Sequence, residues 1–190
     1  MFAHHAFWPK RLPQSLTVPD SSVWDNLDIN ARRYPDKTAL LFLGRRTSYR
    51  ELRDGSVRMA AYLHQLGVRK GDRVILLMQN TSQLVLAHYA ILRANAVVVP
   101  VNPMNLAQEL EHYILDSGAK VAITTADLAV ELGKASNALA SADALQHMLV
   151  TQFSDGFDAD VQGIDAPPQS WLDWLLSARE PAVLNAGKVH

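Results

Sequence analysis

The spacing of apolar residues changes period several times along this chain, and each change marks an element. Val23, Trp24, Leu27, Ala31 and Tyr34 recur at helical spacing behind Ser22. Asp25 sits in the first turn, where the positive end of the helix dipole favours it, and Pro35 stops the pattern. Thr38 to Leu43 reads as a strand, Gly44-Arg45-Arg46 as a turn, and Thr47 to Tyr49 as a second short strand. Together they predict a small β-hairpin near residues 38–49. Ser48 and Glu51 have the spacing of a capping box, so a helix is expected to start there. Its apolar stripe is Leu52, Met59, Ala60, Leu63 and Leu66, and Gly67 is placed as its left-handed stop.

Beyond Gly67 short apolar runs alternate with helical patterns. Arg73 to Met78 is a run of the kind expected for a strand covered on both faces. Asn80 or Thr81 can cap the next helix, Ser82 to Ala94, whose nearly all-round apolar character predicts burial. Ala96 to Val101 reads as a second buried strand, ending near Pro100. Asn105 to Ser117 is an amphipathic helix with Gly118 as its stop, and Val121 to Thr125 a third strand. Ala126 to Ala144 has a helical pattern, and Met148 to Thr151 is a fourth strand. Phe153 to Gln169 reads as loop, and Ser170 and Asp173 open a last helix with Trp171, Trp174 and Leu175 as its apolar face. Strand–helix–strand alternation predicts an α/β fold, a layered parallel sheet with helices on both faces. The expected organisation is an irregular arm over 1–20, an α/β unit over 21–152, and loop plus short helix over 153–190.

Composition narrows the functional classes. Across 190 residues, 48% hydrophobic and 19% charged content suits a globular chain, and a formal charge of −1 offers no basic stripe for nucleic acid. The absence of cysteine excludes disulfides, thiolate metal sites and thiolate catalysis. No run reaches the ~18 apolar residues of a transmembrane segment, and the start lacks a signal-peptide stretch, so cytoplasmic location is the expectation.

The candidate chemistry is sparse. A phosphate cradle needs clustered glycines at a strand-to-helix turn, whereas the nine glycines here are scattered. Glu109, His112 and Asp116 share one helix face, but a carboxylate-bridged metal site needs two Glu-x-x-His pairs, so these read as solvated surface. His88 lies among Leu84, Val85, Ala87 and Ile91 and reads as a hydrogen-bonded core or interface side chain. His4 and His5 could take a metal adventitiously. No serine stands in a nucleophile elbow, and no lysine sits in an apolar pattern that would lower its pKa. Ser48 and Ser170 read as helix caps. No catalytic, cofactor-binding or metal-binding residue is assigned.

Three stretches nevertheless carry a resemblance. They are Tyr34-Pro-Asp-Lys-Thr-Ala-Leu with Thr47-Ser-Tyr-Arg-Glu-Leu52; Leu66-Gly-Val-Arg-Lys-Gly-Asp-Arg-Val74 with Met78-Gln-Asn80; and Ile91-Leu-Arg-Ala-Asn-Ala-Val-Val-Val-Pro-Val-Asn-Pro103. Glu109-Leu-Glu-His112 and Asp116-Ser-Gly-Ala119 follow the third. In order and spacing, over about Val23 to Leu128, they resemble the amino-terminal domain of AMP-forming acyl-CoA synthetases, and most of all bacterial fatty-acid–CoA ligases. Asn95 stands where that family usually has glycine; as a residue tolerant of the left-handed region, it is expected to leave the backbone unchanged.

The resemblance implies a two-step reaction using ATP, Mg2+ and CoA on a fatty or other carboxylic acid. It also implies catalytic elements found nowhere here: a Thr/Ser/Gly-rich phosphate loop, a Tyr-Gly-x-Thr-Glu segment, a ribose-binding aspartate, a hinge and a mobile lysine. Pro181 to His190 falls about where the family approaches its phosphate loop. The chain is therefore expected to be an amino-terminal fragment that is inactive alone, binds no cofactor itself, and self-associates through an exposed apolar patch. The alternatives are a stand-alone interaction or scaffold module derived from the synthetase half-domain, and an independent nucleotide-binding domain.

Overall fold

The computed structural model describes residues 6–157 and 167–190. Seven strands and six α-helices run in the order α1 (Val23–Arg33), β1 (Thr38–Phe42), β2 (Arg45–Ser48), α2 (Tyr49–Gln65), β3 (Arg73–Leu77), α3 (Ser82–Arg93), β4 (Val97–Pro100), α4 (Ala107–Ser117), β5 (Val121–Thr125), α5 (Ala126–Ala138), β6 (His147–Thr151), α6 (Gln169–Leu175) and β7 (Lys188–Val189). The chain is an α/β fold. Strands β1 and β2 form an antiparallel hairpin, and a five-stranded sheet has the order β4-β3-β5-β6-β7 with every pairing parallel.

Alternation of side chains along each strand splits the core into two layers. Val74, Leu76, Val121, Ile123 and Leu149 face Leu63 of α2 and Ala87 and Ile91 of α3. Ile75, Leu77, Ala122 and Met148 face Leu110 and Ile114 of α4 and Ala129, Leu132 and Ala135 of α5. The chain moves one way from β3 to β4 and back past β3 to β5. With right-handed crossovers, that reversal requires α3 and α4 to lie on opposite faces.

Local signals account for most boundaries. The Ser48–Glu51 capping box forms: the Glu51 N–H donates to Ser48 Oγ at 3.2 Å, and the Ser48 N–H donates to Glu51 Oε2 at 2.7 Å. The Ser48 N–H, and the Ser48 hydroxyl donating to the same oxygen at 2.8 Å, hold the Glu51 carboxyl below its ordinary pKa. Thr81 caps α3, its Oγ1 accepting from the Leu84 N–H at 3.1 Å. Gly67 and Gly118 take the left-handed conformation after α2 and α4, and Asn95 (φ 59°) does so after α3, supplying without glycine the geometry that the turn demands.

Several expectations are corrected. The hairpin turns on Leu43 and Gly44, both at positive φ, so Arg45 and Arg46 belong to the second strand and Tyr49 to the helix. A two-residue loop with both residues left-handed matches strand twist. Strand β4 is an edge strand, with Val97 46% exposed, rather than a buried one. Pro100 is tolerated there because an edge strand can leave one donor position unfilled. Helix α3 is only half-buried apart from the buried Ala87, Ala90 and Ile91 and the exposed Arg93, with α1, α2 and the hairpin packed along the face of Val85, Leu86, Tyr89 and Leu92. Helix α5 ends at Ala138, where Leu139 turns extended and the buried Ser136 hydroxyl accepts from the Leu145 N–H at 3.0 Å. Ser170 lies inside α6 behind Pro168 and caps nothing. Phe153–Gly156 forms a short 3₁₀ turn within the expected loop, and residues 158–166 of that loop, like His4 and His5, lie outside the described residues.

On α1, Val23 and Tyr34 are exposed, while Asp28 shares the buried stripe with Trp24, Leu27 and Ala31. The Asp28 carboxylate accepts hydrogen bonds from Arg32 on its own helix and, at 3.0 Å, from Nε of Arg53 on α2. These bonds hold its pKa below the ordinary value of 3.8. The fold therefore gains stability from this group that is complete at neutral pH, and loses it as pH falls below about 4 and through the folded value. Asp28→Asn is expected to lower unfolding free energy by about 1–2 kcal/mol at pH 7, since both arginines keep water contact. At pH 3 the difference from the parent is expected to narrow, which urea titrations at the two pH values would measure.

Candidate functional site

In an open parallel sheet the place for a ligand or partner is the crevice outside the carboxyl ends of the strands, where strand order reverses. Here that point lies between β3 and β5. From β3 the chain leaves through Met78 to Thr81 into α3; from β5 it passes directly from Thr125 into α5 on the opposite face. Strand β6 ends alongside at Thr151, in register with Thr125.

Polar groups collect at this edge. Gln83 on α3 reaches across to β6, its Nε2 donating to the Gln152 carbonyl at 3.1 Å. The hydroxyls of Thr125 and Thr151, one carboxylate oxygen of Asp127 and the amide oxygen of Gln83 are buried without a hydrogen-bond partner among the described residues. Leaving such a group unpaired costs about 1–3 kcal/mol each, so they mark the sheet edge as a place where further polar contact would be favourable. Asp127 is in the first turn of α5, where the helix dipole supports its charge. None of these four residues was singled out from sequence. Their only signal is position, at or just after the carboxyl ends of the strands: Thr125 and Thr151 end β5 and β6, Asp127 opens α5 and Gln83 opens α3.

Beside this edge lies an apolar cleft of about 390 Å³, lined by Phe42, Leu43, Phe153, Trp171, Trp174 and Leu175. A second apolar hollow of about 270 Å³, including Leu41, Thr81 and Val85, shares Phe42 with it. Helix α6 supplies most of the cleft's aromatic surface. Leu175 is buried, but Trp171 and Trp174 remain 55% and 46% exposed. Trp174 is held edge-on to Phe153 at 4.9 Å, and the Arg179 guanidinium lies 4.5 Å from the ring centroid. The sequence's expected apolar face of α6 is therefore half wet, and it forms a wall open to solvent.

The remaining candidates lie elsewhere. Glu109, His112 and Asp116 are all exposed on α4. His88 is half-buried with its ring edge-on to Tyr89 at 5.7 Å. Lys120 donates to the Ala142 carbonyl at 2.6 Å, Lys134 pairs with Glu131 at 2.5 Å, and Lys37 sits over the Tyr34 ring. Among the described residues, no helix is long and apolar enough to cross a membrane, and no three His, Asp or Glu side chains gather as a metal set.

The motif stretches that carry the resemblance fall on this framework as strand, cap and turn positions. A family model described as AMP-binding enzyme matches residues 27–185. A long-chain-fatty-acid–CoA ligase of Escherichia coli O6:H1 is 37% identical over 154 residues, covering 78% of this chain and 27% of that protein. A fatty acyl CoA synthetase of Mycobacterium tuberculosis superposes with a TM-score of 0.61 at 27% identity, covering 71% of this chain and 27% of that one. A benzoate CoA ligase of Burkholderia xenovorans LB400 has the same fold, with a TM-score of 0.65 at 24% identity over 77% of this chain and 30% of its own. The chain thus spans about a quarter of the length of the curated relatives it matches. With the family match covering most of its residues and the long-chain-fatty-acid–CoA ligase 37% identical over 154 residues, the chain belongs to the AMP-binding enzyme family.

Proposed function

We propose that this chain is the amino-terminal portion of an AMP-forming fatty-acid–CoA ligase and serves as its scaffold rather than its catalytic centre. The observation that carries this reading is the 37% identity to a long-chain-fatty-acid–CoA ligase over 154 residues, with the matching motifs at structural positions. In the whole enzyme a fatty-acid carboxylate attacks the α-phosphorus of ATP, the bond to the β-phosphate breaks, and pyrophosphate leaves. The CoA thiol then attacks the acyl carbonyl, and the bond to AMP breaks. Mg2+ would offset the phosphate charge in the first step. These residues contribute no catalytic, cofactor or metal ligand in this reading; they hold a rigid sheet edge against which the catalytic portion packs. The reading places the protein in the cytoplasm, with 21–152 as the α/β unit and 153–190 leading toward the catalytic core.

The test is pyrophosphate release with ATP, Mg2+ and a long-chain fatty acid. None above the no-enzyme rate is expected from this chain, and release that tracks the protein through further purification would overturn the scaffold assignment.

The open tryptophan cleft favours a second reading, a stand-alone module that pairs with another chain. Under either reading exposed Trp171, Trp174 and Leu176 are expected to drive self-association. Sizing at rising concentration should show a growing apparent mass that Trp171→Ser with Trp174→Ser reduces; a concentration-independent monomer would contradict it. A natural stop codon after His190 and capture of one specific partner would favour the module over the ligase portion.

A further inference from the structure

At the start of β6 and the end of β7, two histidines and a tyrosine form a connected set. His147 Nδ1 lies 3.0 Å from His190 Nε2, and His190 Nδ1 lies 2.9 Å from the hydroxyl of Tyr62 on α2. We propose that His147 and His190 form a two-imidazole chelate for a divalent late transition metal such as Ni2+, Cu2+ or Zn2+, clipping β7 to β6. A metal bound by two nitrogens at ~2.0–2.1 Å spans them by about 2.9 Å at a right angle and about 3.4 Å at the tetrahedral angle, so the pair needs little movement to bind one.

Metal binding would take the place of the hydrogen bond between the two rings. If His190 Nδ1–H donates to the Tyr62 oxygen, its Nε2 accepts from His147 Nδ1–H, and a metal would replace that hydrogen as His147 shifts its proton to Nε2, with Tyr62 orienting the His190 ring as an outer-shell partner does. His190 is exposed and His147 half-buried, so water can complete the coordination sphere. Lys188, paired with His147 across the two strands, opposes a cation there.

Ni2+ and Zn2+ titrations by calorimetry, in a His4→Gln, His5→Gln background, test the assignment. One equivalent is expected to bind in the micromolar range, and to raise the unfolding midpoint by about 5 °C at a hundredfold excess over Kd. His147→Gln or His190→Gln is expected to abolish both effects, Tyr62→Phe to weaken binding about tenfold, and Lys188→Gln to tighten it. If a histidine variant fails to fold, the Tyr62 and Lys188 variants still report through opposite shifts in Kd. Unchanged binding in His147→Gln, unchanged Kd in both Tyr62→Phe and Lys188→Gln, or no binding in the parent would overturn the site and leave a plain imidazole hydrogen bond.

Discussion

Truncating Ile123 to alanine is expected to lower the unfolding free energy by about 3–4 kcal/mol, among the largest losses any single substitution here produces. Ile123 is fully buried in the middle of β5, which has paired strands on both sides, and it packs into the layer beneath α2 and α3. Removing three carbons there forfeits their transfer energy and leaves a cavity that the central strand cannot collapse to fill. The matched control is Val98→Ala on edge strand β4, where the side chain is only partly covered and the strand can shift toward it. About 1 kcal/mol is expected there. Urea denaturation of both variants measures the contrast. Equal losses would mean that β4 is as enclosed as the notionally buried strand its sequence suggests.

Gly187→Ala is expected to release β7 from the sheet without unfolding the rest. A Cβ at this position would lie 2.5 Å from the Gln146 carbonyl oxygen and 2.6 Å from that of Leu145, and backbone atoms cannot step aside as a side-chain tip can. The Gln146 oxygen also accepts the Lys188 N–H at 2.9 Å, so relieving the clash removes the first bond of the strand pair. Hydrogen exchange provides the readout. The amides of Lys188, His190 and Val150, all bonded across this junction, are expected to lose protection, while amides in α2 and α3 keep theirs. The same variant is expected to lose the metal-dependent rise in midpoint, because His190 would no longer be held beside His147. Retained protection at Lys188 would show that the tail seats by another route.

The contrast between β5 and β4 shows how far the sequence could be read. Both are short apolar runs, Val121 to Thr125 and Ala96 to Val101, and by composition both call for cover on two faces. Their difference is strand order, which depends on where each crossover lands and has no local signature. The same holds for α3, whose all-round apolar pattern was read as burial. It records instead that several surfaces touch it, each covering part: the sheet below, α2 at its side and the hairpin near its start.

Asp28 and the carboxyl-end polar set went unread for a related reason. Asp28 breaks an apolar stripe; besides Arg32 on its own helix, it is paired by Arg53, twenty-five residues away, which no local pattern brings to it. Thr125, Asp127, Thr151 and Gln83 are unremarkable one by one; the sheet makes them neighbours. The seating of the tail has no local signature either: Leu184 packs into the core, and Asn137 Nδ2 donates to the Val183 carbonyl at 2.9 Å while its Oδ1 accepts from the Asn185 N–H at 2.7 Å.

What the residues alone determined were the properties set within a few positions of one another. These were the α/β alternation, the Ser48–Glu51 cap, a cap for α3 at Asn80 or Thr81, the left-handed stops at Gly67, Asn95 and Gly118, and a family resemblance resting on ordered short motifs. Tertiary structure decided which strand became an edge, which carboxylate was buried with a partner, and which side chains met at the sheet's carboxyl end. Caps and turns are decided by hydrogen bonds within one turn of chain, so their residues announce them. Edges, ion pairs and clefts are decided by contacts between segments far apart in sequence, which take shape only once the crossovers have placed those segments side by side.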